Sequence, residues 1–228
     1  MLPLGGVVIS DHFEEIVGSP LFSGIESGDL RTMLKCLGGF VRDYKKGEYI
    51  SVESESVKNI GVILDGSVQM IKEDIWGGKS ILAVMERHQL FGETFACGTD
   101  TVSAVTFCAS ADTRVLFLPF YRVLHTCSNS CAFHNKLIEN MVTLIADKNR
   151  SLMEKLDAMS KKNLREKILT YLSIQSQHQG GRYFEIPLGR IELADYLCTD
   201  RSALTRELSS MRDDGLIDFD RNTFRLLK

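Results

Sequence analysis

The run Arg190-Ile191-Glu192-Leu193-Ala194-Asp195-Tyr196-Leu197-Cys198-Thr199-Asp200-Arg201-Ser202-Ala203-Leu204-Thr205-Arg206-Glu207-Leu208 decides how the whole chain is read. Two short helices joined by a tight turn must pack closely, which needs a small residue inside the first, and Ala194 supplies it. Leu193 and Leu197 of the first helix have core spacing, as do Leu204, Leu208 and Met211 of the second. Thr199 or Asp200 is a suitable N-cap for that second helix. This is helix-turn-helix spacing. The other face of the second helix carries Arg201, Ser202, Thr205, Arg206 and Ser209. Arginine reads guanine edges bidentately, and hydroxyls bond base edges or phosphates. An ordinary solvated face would mix Glu with Lys, and the acid here, Glu207, lies off the stripe.

Working outward, Asp213-Asp214-Gly215 ends the second helix. Leu216 to Phe219 and Thr223 to Leu227 alternate around Asp220-Arg221-Asn222, which reads as a hairpin with Arg221 at its tip. A helix-turn-helix followed by a hairpin is a winged helix. Upstream, Tyr183 to Ile186 reads as a short strand, and Lys162 to Gln177 as a helix broken by Gln179-Gly180-Gly181. The longest apolar-periodic segment runs from Phe133 to Met159 without Gly or Pro. Leu137, Met141, Leu144 and Ile145 form its stripe, which Leu152, Leu156 and Met159 extend. One helix of that length is roughly 40 Å long. It suits a strut between domains or a two-stranded dimer interface.

From Phe40 to Leu118 the pattern is short strands with turns between them. Ile60 to Leu64 and Ser67 to Ile71 flank Asp65-Gly66, a hairpin dipeptide. Trp76-Gly77-Gly78-Lys79 turns into Ser80 to Met85, and Val102 to Ala109 and Arg114 to Leu118 follow. Regularly spaced short strands predict a barrel or jelly roll. Before them, Asp11 to Lys35 reads as helix, stopped at Gly38-Gly39.

The 228 residues suffice for one large or two modest domains. No stretch approaches the ~18 apolar residues of a membrane span. The opening MLPLGGVVISDHFEE lacks the basic region of a signal peptide, so a cytoplasmic location is expected. A net charge of −3 hides a gradient, acidic over Ser51 to Asp74 and rich in Lys and Arg from Lys161 onward. A local basic surface is enough to reach phosphates. There is no P-loop, nucleophile elbow or HExxH, so no enzyme is expected.

In the order of its parts the chain resembles the cyclic-AMP receptor and fumarate-nitrate regulator (Crp/Fnr) family. Gln89-Leu90-Phe91-Gly92-Glu93, followed by Val102-Ser103-Ala104-Val105, looks like that family's phosphate-binding cassette. The helix-turn-helix carries the rest of the match. The resemblance implies an α+β architecture: a double-stranded β-helix (jelly roll) sensor over residues 1–130, a dimerisation helix over 131–160 and a winged helix-turn-helix over 161–228. It implies a homodimer on an inverted-repeat operator in double-stranded DNA, with RNA polymerase as a further partner. The expected DNA-facing residues are Arg190, Thr199, Arg201, Ser202, Thr205, Arg206 and Arg221. The family's well-studied members have Glu where Ser202 stands, so their operator cannot be copied across.

The cassette departs further. Cyclic-nucleotide binders of the family carry Arg immediately before the Ser, where this chain has Val102, and no Arg or Lys lies between Arg87 and Arg114. Burying a phosphate charge without a paired cation is costly. The expected effector is therefore a small molecule other than a cyclic nucleotide. Its pocket is expected at Glu93, Thr94, Val102 and Ser103, with Leu137 and Met141 from the long helix. Glu93 is a ribose partner by resemblance, or else a structural carboxylate.

Six cysteines are scattered along the chain, and a reducing compartment leaves them as thiols. None precedes Cys36, which excludes the N-terminal iron–sulfur group of the family's oxygen sensors. His125, Cys127, Cys131 and His134 lie close enough to ligate zinc or iron, and a redox or metal sensor using Cys127 and Cys131 is the alternative. The other reading, which we favour, has the two cysteines capping and packing the start of the long helix while the two histidines face solvent. A ligand-binding module acting on another protein is a third class, and the winged helix argues against it.

Overall fold

Two four-stranded antiparallel sheets face each other in the first half of the structure, a computed structural model that describes residues 12–76, 78–125 and 132–227. The strands are β1 (Phe40–Tyr44), β2 (Tyr49–Ser51), β3 (Asn59–Asp65), β4 (Ser67–Glu73), β5 (Lys79–Glu86), β6 (Leu90–Phe91), β7 (Thr106–Ala109) and β8 (Thr113–Pro119). One sheet has the order β1-β8-β3-β6 and the other β2-β7-β4-β5. Tyr44, Ile63, Phe91, Val115 and Phe117 of the first sheet share a core cluster with Val68, Met85, Phe107 and Ala109 of the second. Alternate residues of each strand meet across this gap, which is the jelly-roll arrangement. β3 is buried on both faces, Ile60, Val62 and Leu64 included. Gly61 lies on β3 where any Cβ would fall 2.4 Å from the Phe91 ring, so glycine is what lets that ring lie against the strand.

One expected hairpin is not there. Asp65-Gly66 does not fold β4 back on β3; it carries the chain from one sheet to the other. Gly66 has φ +80°, and a Cβ there would meet the Asp112 carbonyl oxygen at 2.3 Å. That oxygen belongs to the link from β7 to β8, a second crossing between the sheets, which lies alongside. β3 pairs instead with β8, and β4 with β7, each strand within its own sheet. The β4–β5 hairpin around Trp76 forms as expected.

The N-terminal helical segment is also interrupted. It comprises α1 (Phe13–Val17), a 3-10 turn (Pro20–Phe22) and α2 (Ser27–Leu37). Pro20 has no N–H to give and Ser19 accepts from Leu21 N–H, so the backbone restarts there. Two short helices that strand periodicity obscured are α3 (Glu93–Ala96) and α4 (Phe120–Leu124). The expected strand from Val102 begins only at Thr106; Val102 itself makes one isolated bridge to Ser56.

The long helix α5 spans Ala132–Met159. The chain divides into two compact units at Leu144/Ile145. In the first, Leu137 and Met141 are buried, and Asn140 Nδ2 donates to the carbonyl oxygens of Leu21 and Ser23 at 3.0 and 2.8 Å. The expected single apolar stripe is thus two faces. Its first residues are core, whereas Val142, Leu152, Met153 and Leu156 are exposed.

The second unit holds α6 (Leu164–Gln179), β9 (Tyr183–Glu185), α7 (Arg190–Tyr196), α8 (Arg201–Asp213), β10 (Ile217–Asp220) and β11 (Thr223–Leu226). Leu193, Ala194, Leu197, Leu204, Leu208 and Met211 all enter its core, with Ile168, Leu172, Phe184, Ile217 and Phe224. β10 and β11 pair from Ile217–Leu226 to Asp220–Thr223, and β9 adds to β11. This is a three-stranded winged helix-turn-helix.

Candidate nucleic-acid interface

Burial of Leu204, Leu208 and Met211 turns the opposite face of α8 to solvent. Arg201, Ser202, Thr205 and Arg206 are exposed there and together line one shallow concavity. Two hydroxyls of this face bond the helix's own backbone: Thr205 Oγ1 donates to Arg201 O at 2.8 Å, and Ser209 Oγ to Thr205 O at 3.1 Å. Nε of Arg206 donates to Ser202 O at 3.3 Å. Of the two expected caps, Asp200 is the N-cap, through its main chain: Leu204 N–H donates to Asp200 O at 2.9 Å. Thr199 sits in the turn, half-buried, its N–H on Ala194 O.

α8 is held in place by a residue the sequence reading passed over. Arg165 of α6 donates from Nε to Glu207 at 2.6 Å, from Nη1 to Asp214 at 2.6 Å and from Nη2 to Ser210 Oγ at 2.8 Å. Glu207 therefore serves the inner side of the helix, which keeps its charge off the exposed stripe. The sequence signal was faint: an Arg on a polar helix face, with partners 42 to 49 residues away.

The structure does not group all seven expected residues. Arg221 is exposed at the wing tip, with φ +49°. Arg190 turns inward: Nη2 donates to Arg221 O at 2.6 Å and the guanidinium lies 5.2 and 5.1 Å from the Phe219 and Phe224 ring centres. Burial lowers its pKa from the ordinary arginine value.

In the first unit, Glu93 opens α3 and is buried, Thr94 is exposed, Ser103 is buried and Val102 is half open. Gly92 abuts Val57, whose N–H donates to Thr101 O at 2.8 Å, so the two halves of the cassette flank one stretch of chain. Ser103 Oγ donates to Val105 O at 2.6 Å. A cation does reach this region, from β4: Lys72 Nζ donates to Ala104 O at 2.9 Å and pairs with Glu53. Leu137 and Met141 are buried on α5.

Cys127 and Cys131 lie outside the described residues. His125 is exposed as expected and stacks on Tyr121 with ring centres 3.9 Å apart, whereas His134, expected at solvent, is buried where the start of α5 packs. Among the described residues no group of three or more His, Cys, Asp or Glu is arranged to hold a metal ion. No described helix is long and apolar enough to cross a membrane.

Comparison with known families gives two matches along the chain. The cyclic nucleotide-binding domain matches residues 41–130, and the Crp-like helix-turn-helix domain matches residues 166–228. The chain belongs to the Crp/Fnr family. It is a DNA-binding transcription regulator of the Crp/Fnr type. A cyclic AMP receptor protein of Thermus thermophilus is 26% identical over 206 residues, covering 88% of each chain. The solved catabolite activator protein of Thermus thermophilus aligns with a TM-score of 0.51 at 23% identity, over 91% of this chain and 93% of that one. A CprK variant complexed with OCPA aligns with a TM-score of 0.62 at 18% identity, over 87% and 89%. These structural likenesses speak to the Crp/Fnr fold.

Proposed function

We propose that this chain is a homodimeric regulator that reads an inverted repeat with α8 and answers to a small-molecule effector other than a cyclic nucleotide. The observation that carries the DNA reading is the exposed, acid-free concavity of Arg201, Ser202, Thr205 and Arg206 on a helix whose other face packs Leu204, Leu208 and Met211 into the core. A bidentate arginine pair and two hydroxyls suit base edges and phosphates together.

The dimer reading rests on α5. Ile138, Val142, Ile145, Asn149, Leu152, Leu156 and Met159 recur at alternating steps of four and three, the heptad spacing of a two-stranded coil. A single Asn within such a seam favours two strands in register. The division of labour that follows is sensor over 1–130, dimer helix over 131–160 and DNA reader over 161–228. RNA polymerase is the further partner this reading expects.

The effector reading rests on the cassette. Val102 offers no cation, and Lys72 is already committed to Glu53 and Ala104 O. Glu93, Ser103, Leu137 and Met141 would bound an uncharged or weakly charged ligand, with Thr94 and Val102 at its rim. The deciding experiment is selection of binding sites from random duplex DNA by the full chain, with and without cell extract to supply an effector. The expected product is a palindrome with half-site centres ~10–11 base pairs apart. Selection of no palindrome under either condition refutes the reading.

A further inference from the structure

Arg221 occupies the left-handed region of the backbone, φ +49°, at the tip of the β10–β11 hairpin. An arginine there is uncommon, because its Cβ crowds the carbonyl, and the conformation persists only where neighbours hold it. The neighbour is Arg190, 31 residues earlier, at the start of α7. Its Nη2 donates to the Arg221 carbonyl oxygen at 2.6 Å. Its guanidinium lies within cation–π range of two rings of the same hairpin, Phe219 at 5.2 Å and Phe224 at 5.1 Å. Those rings stack with centres 5.5 Å apart, and Phe224 stacks in turn on Phe184 of β9. Nη1 of Arg190 is buried with no hydrogen-bond partner among the described residues. Arg212 of α8 approaches Phe219 as well, at 5.0 Å.

A guanidinium with one end on a carbonyl and its plane near two rings is not free to meet a phosphate. Arg221, whose side chain is exposed, is. The geometry points to Arg190 as a positioning residue: it fixes the wing tip so that the Arg221 side chain meets the DNA backbone, and makes no phosphate contact of its own. The inference rests on the reading of α8 and the wing as the DNA-facing surface.

Phosphate contacts are independent of sequence, so a mixed-sequence 40-base-pair duplex serves as probe. Affinity is measured across a potassium chloride series for wild type, Arg190→Gln, Arg221→Ala and the double variant, with a melting temperature for each. Loss of one phosphate contact reduces the slope of log affinity against log salt by about 0.9 per protomer. Arg221→Ala is expected to show that loss and Arg190→Gln to approach it, with the double variant no flatter than Arg221→Ala alone. A double variant flatter by a further ~0.9 per protomer means that Arg190 touches a phosphate itself, and overturns the inference. So does a wild-type slope in Arg221→Ala, or a lowered melting temperature in Arg190→Gln with its slope unchanged. If Arg190→Gln does not fold, Arg190→Lys takes its place. It keeps the charge but not the flat group between carbonyl and rings, so its slope is expected between those of wild type and Arg221→Ala, and a wild-type slope overturns the inference. Failure of the wild type to bind the duplex at any salt removes the DNA-facing reading itself, a result separate from all of these.

Discussion

The hydroxyl of Thr113 sits 2.9 Å from the Ser67 carbonyl oxygen and accepts from the Ser67 N–H at 3.1 Å, joining the two places where the chain crosses between sheets. Thr113 is buried, and its Oγ1 also lies 2.8 Å from Ala111 O. Thr113→Val keeps the shape and removes the hydroxyl, so Ser67 N–H loses this acceptor, while the Ser67 carbonyl oxygen keeps the Ser110 N–H at 2.9 Å. The expected cost is about 1–3 kcal/mol. Denaturant unfolding of the full chain checks this, with Thr113→Ser expected to stay near wild type.

On α5 the two faces answer differently. Leu152→Glu with Leu156→Glu places charges on the exposed stripe and is expected to give folded monomers in sedimentation velocity. Met141→Ala instead opens a cavity in the first unit and costs about 2–5 kcal/mol. A Leu152/Leu156 variant that still sediments as a dimer puts the interface elsewhere.

Arg201→Ala and Arg206→Ala separate base reading from phosphate holding. Loss of a base-reading arginine costs about 1–3 kcal/mol and relaxes preference at one position of each half-site. Loss of a phosphate-holding one weakens all sequences alike and flattens the salt dependence. Site selection and salt titration on both variants assign the roles; two variants with wild-type preference and wild-type slope would take α8 off the DNA.

Cyclic AMP and cyclic GMP are expected not to bind at micromolar concentrations in calorimetry. Val102 brings no charge to the cassette, and Lys72 is held by Glu53 and Ala104 O. Micromolar heats of binding for either nucleotide would show that a cation is released to the phosphate after all.

Cys97 stands at the solvent-exposed end of α3, yet partial burial of its thiol and then the Glu93 carboxylate push its pKa up to about 11. Thiolate is the reactive form, and raising the pKa by two units leaves about a hundredfold less of it at neutral pH. Cys97 is therefore expected to lag in iodoacetamide labelling followed by peptide mass spectrometry. Its rate should climb about tenfold per pH unit until pH approaches 11. Rapid labelling at pH 7 would contradict the shift.

The sequence by itself determined whatever repeats within a helical turn or a strand. Leu193, Ala194, Leu204, Leu208 and Met211 are legible as core at their spacing, and with them the exposed arginine stripe, because side-chain direction along a helix is set by local geometry. The wing was legible too, since Leu216 to Phe219 and Thr223 to Leu227 alternate about a turn. Even the break at Ser19-Pro20 was written locally and was passed over. Only the tertiary structure decided which sheet each strand joins, because Asp65-Gly66 turns the chain whether β4 pairs with β3 or with β7. It alone brought Lys72 to Ala104, Arg165 to Glu207 and Arg190 to Arg221, contacts 31 to 42 residues apart along the chain. It also divided α5 into a buried face and an exposed one. No local periodicity encodes such pairings; they follow from which apolar surfaces are covered first, and the charged groups then bond whatever that packing sets within reach.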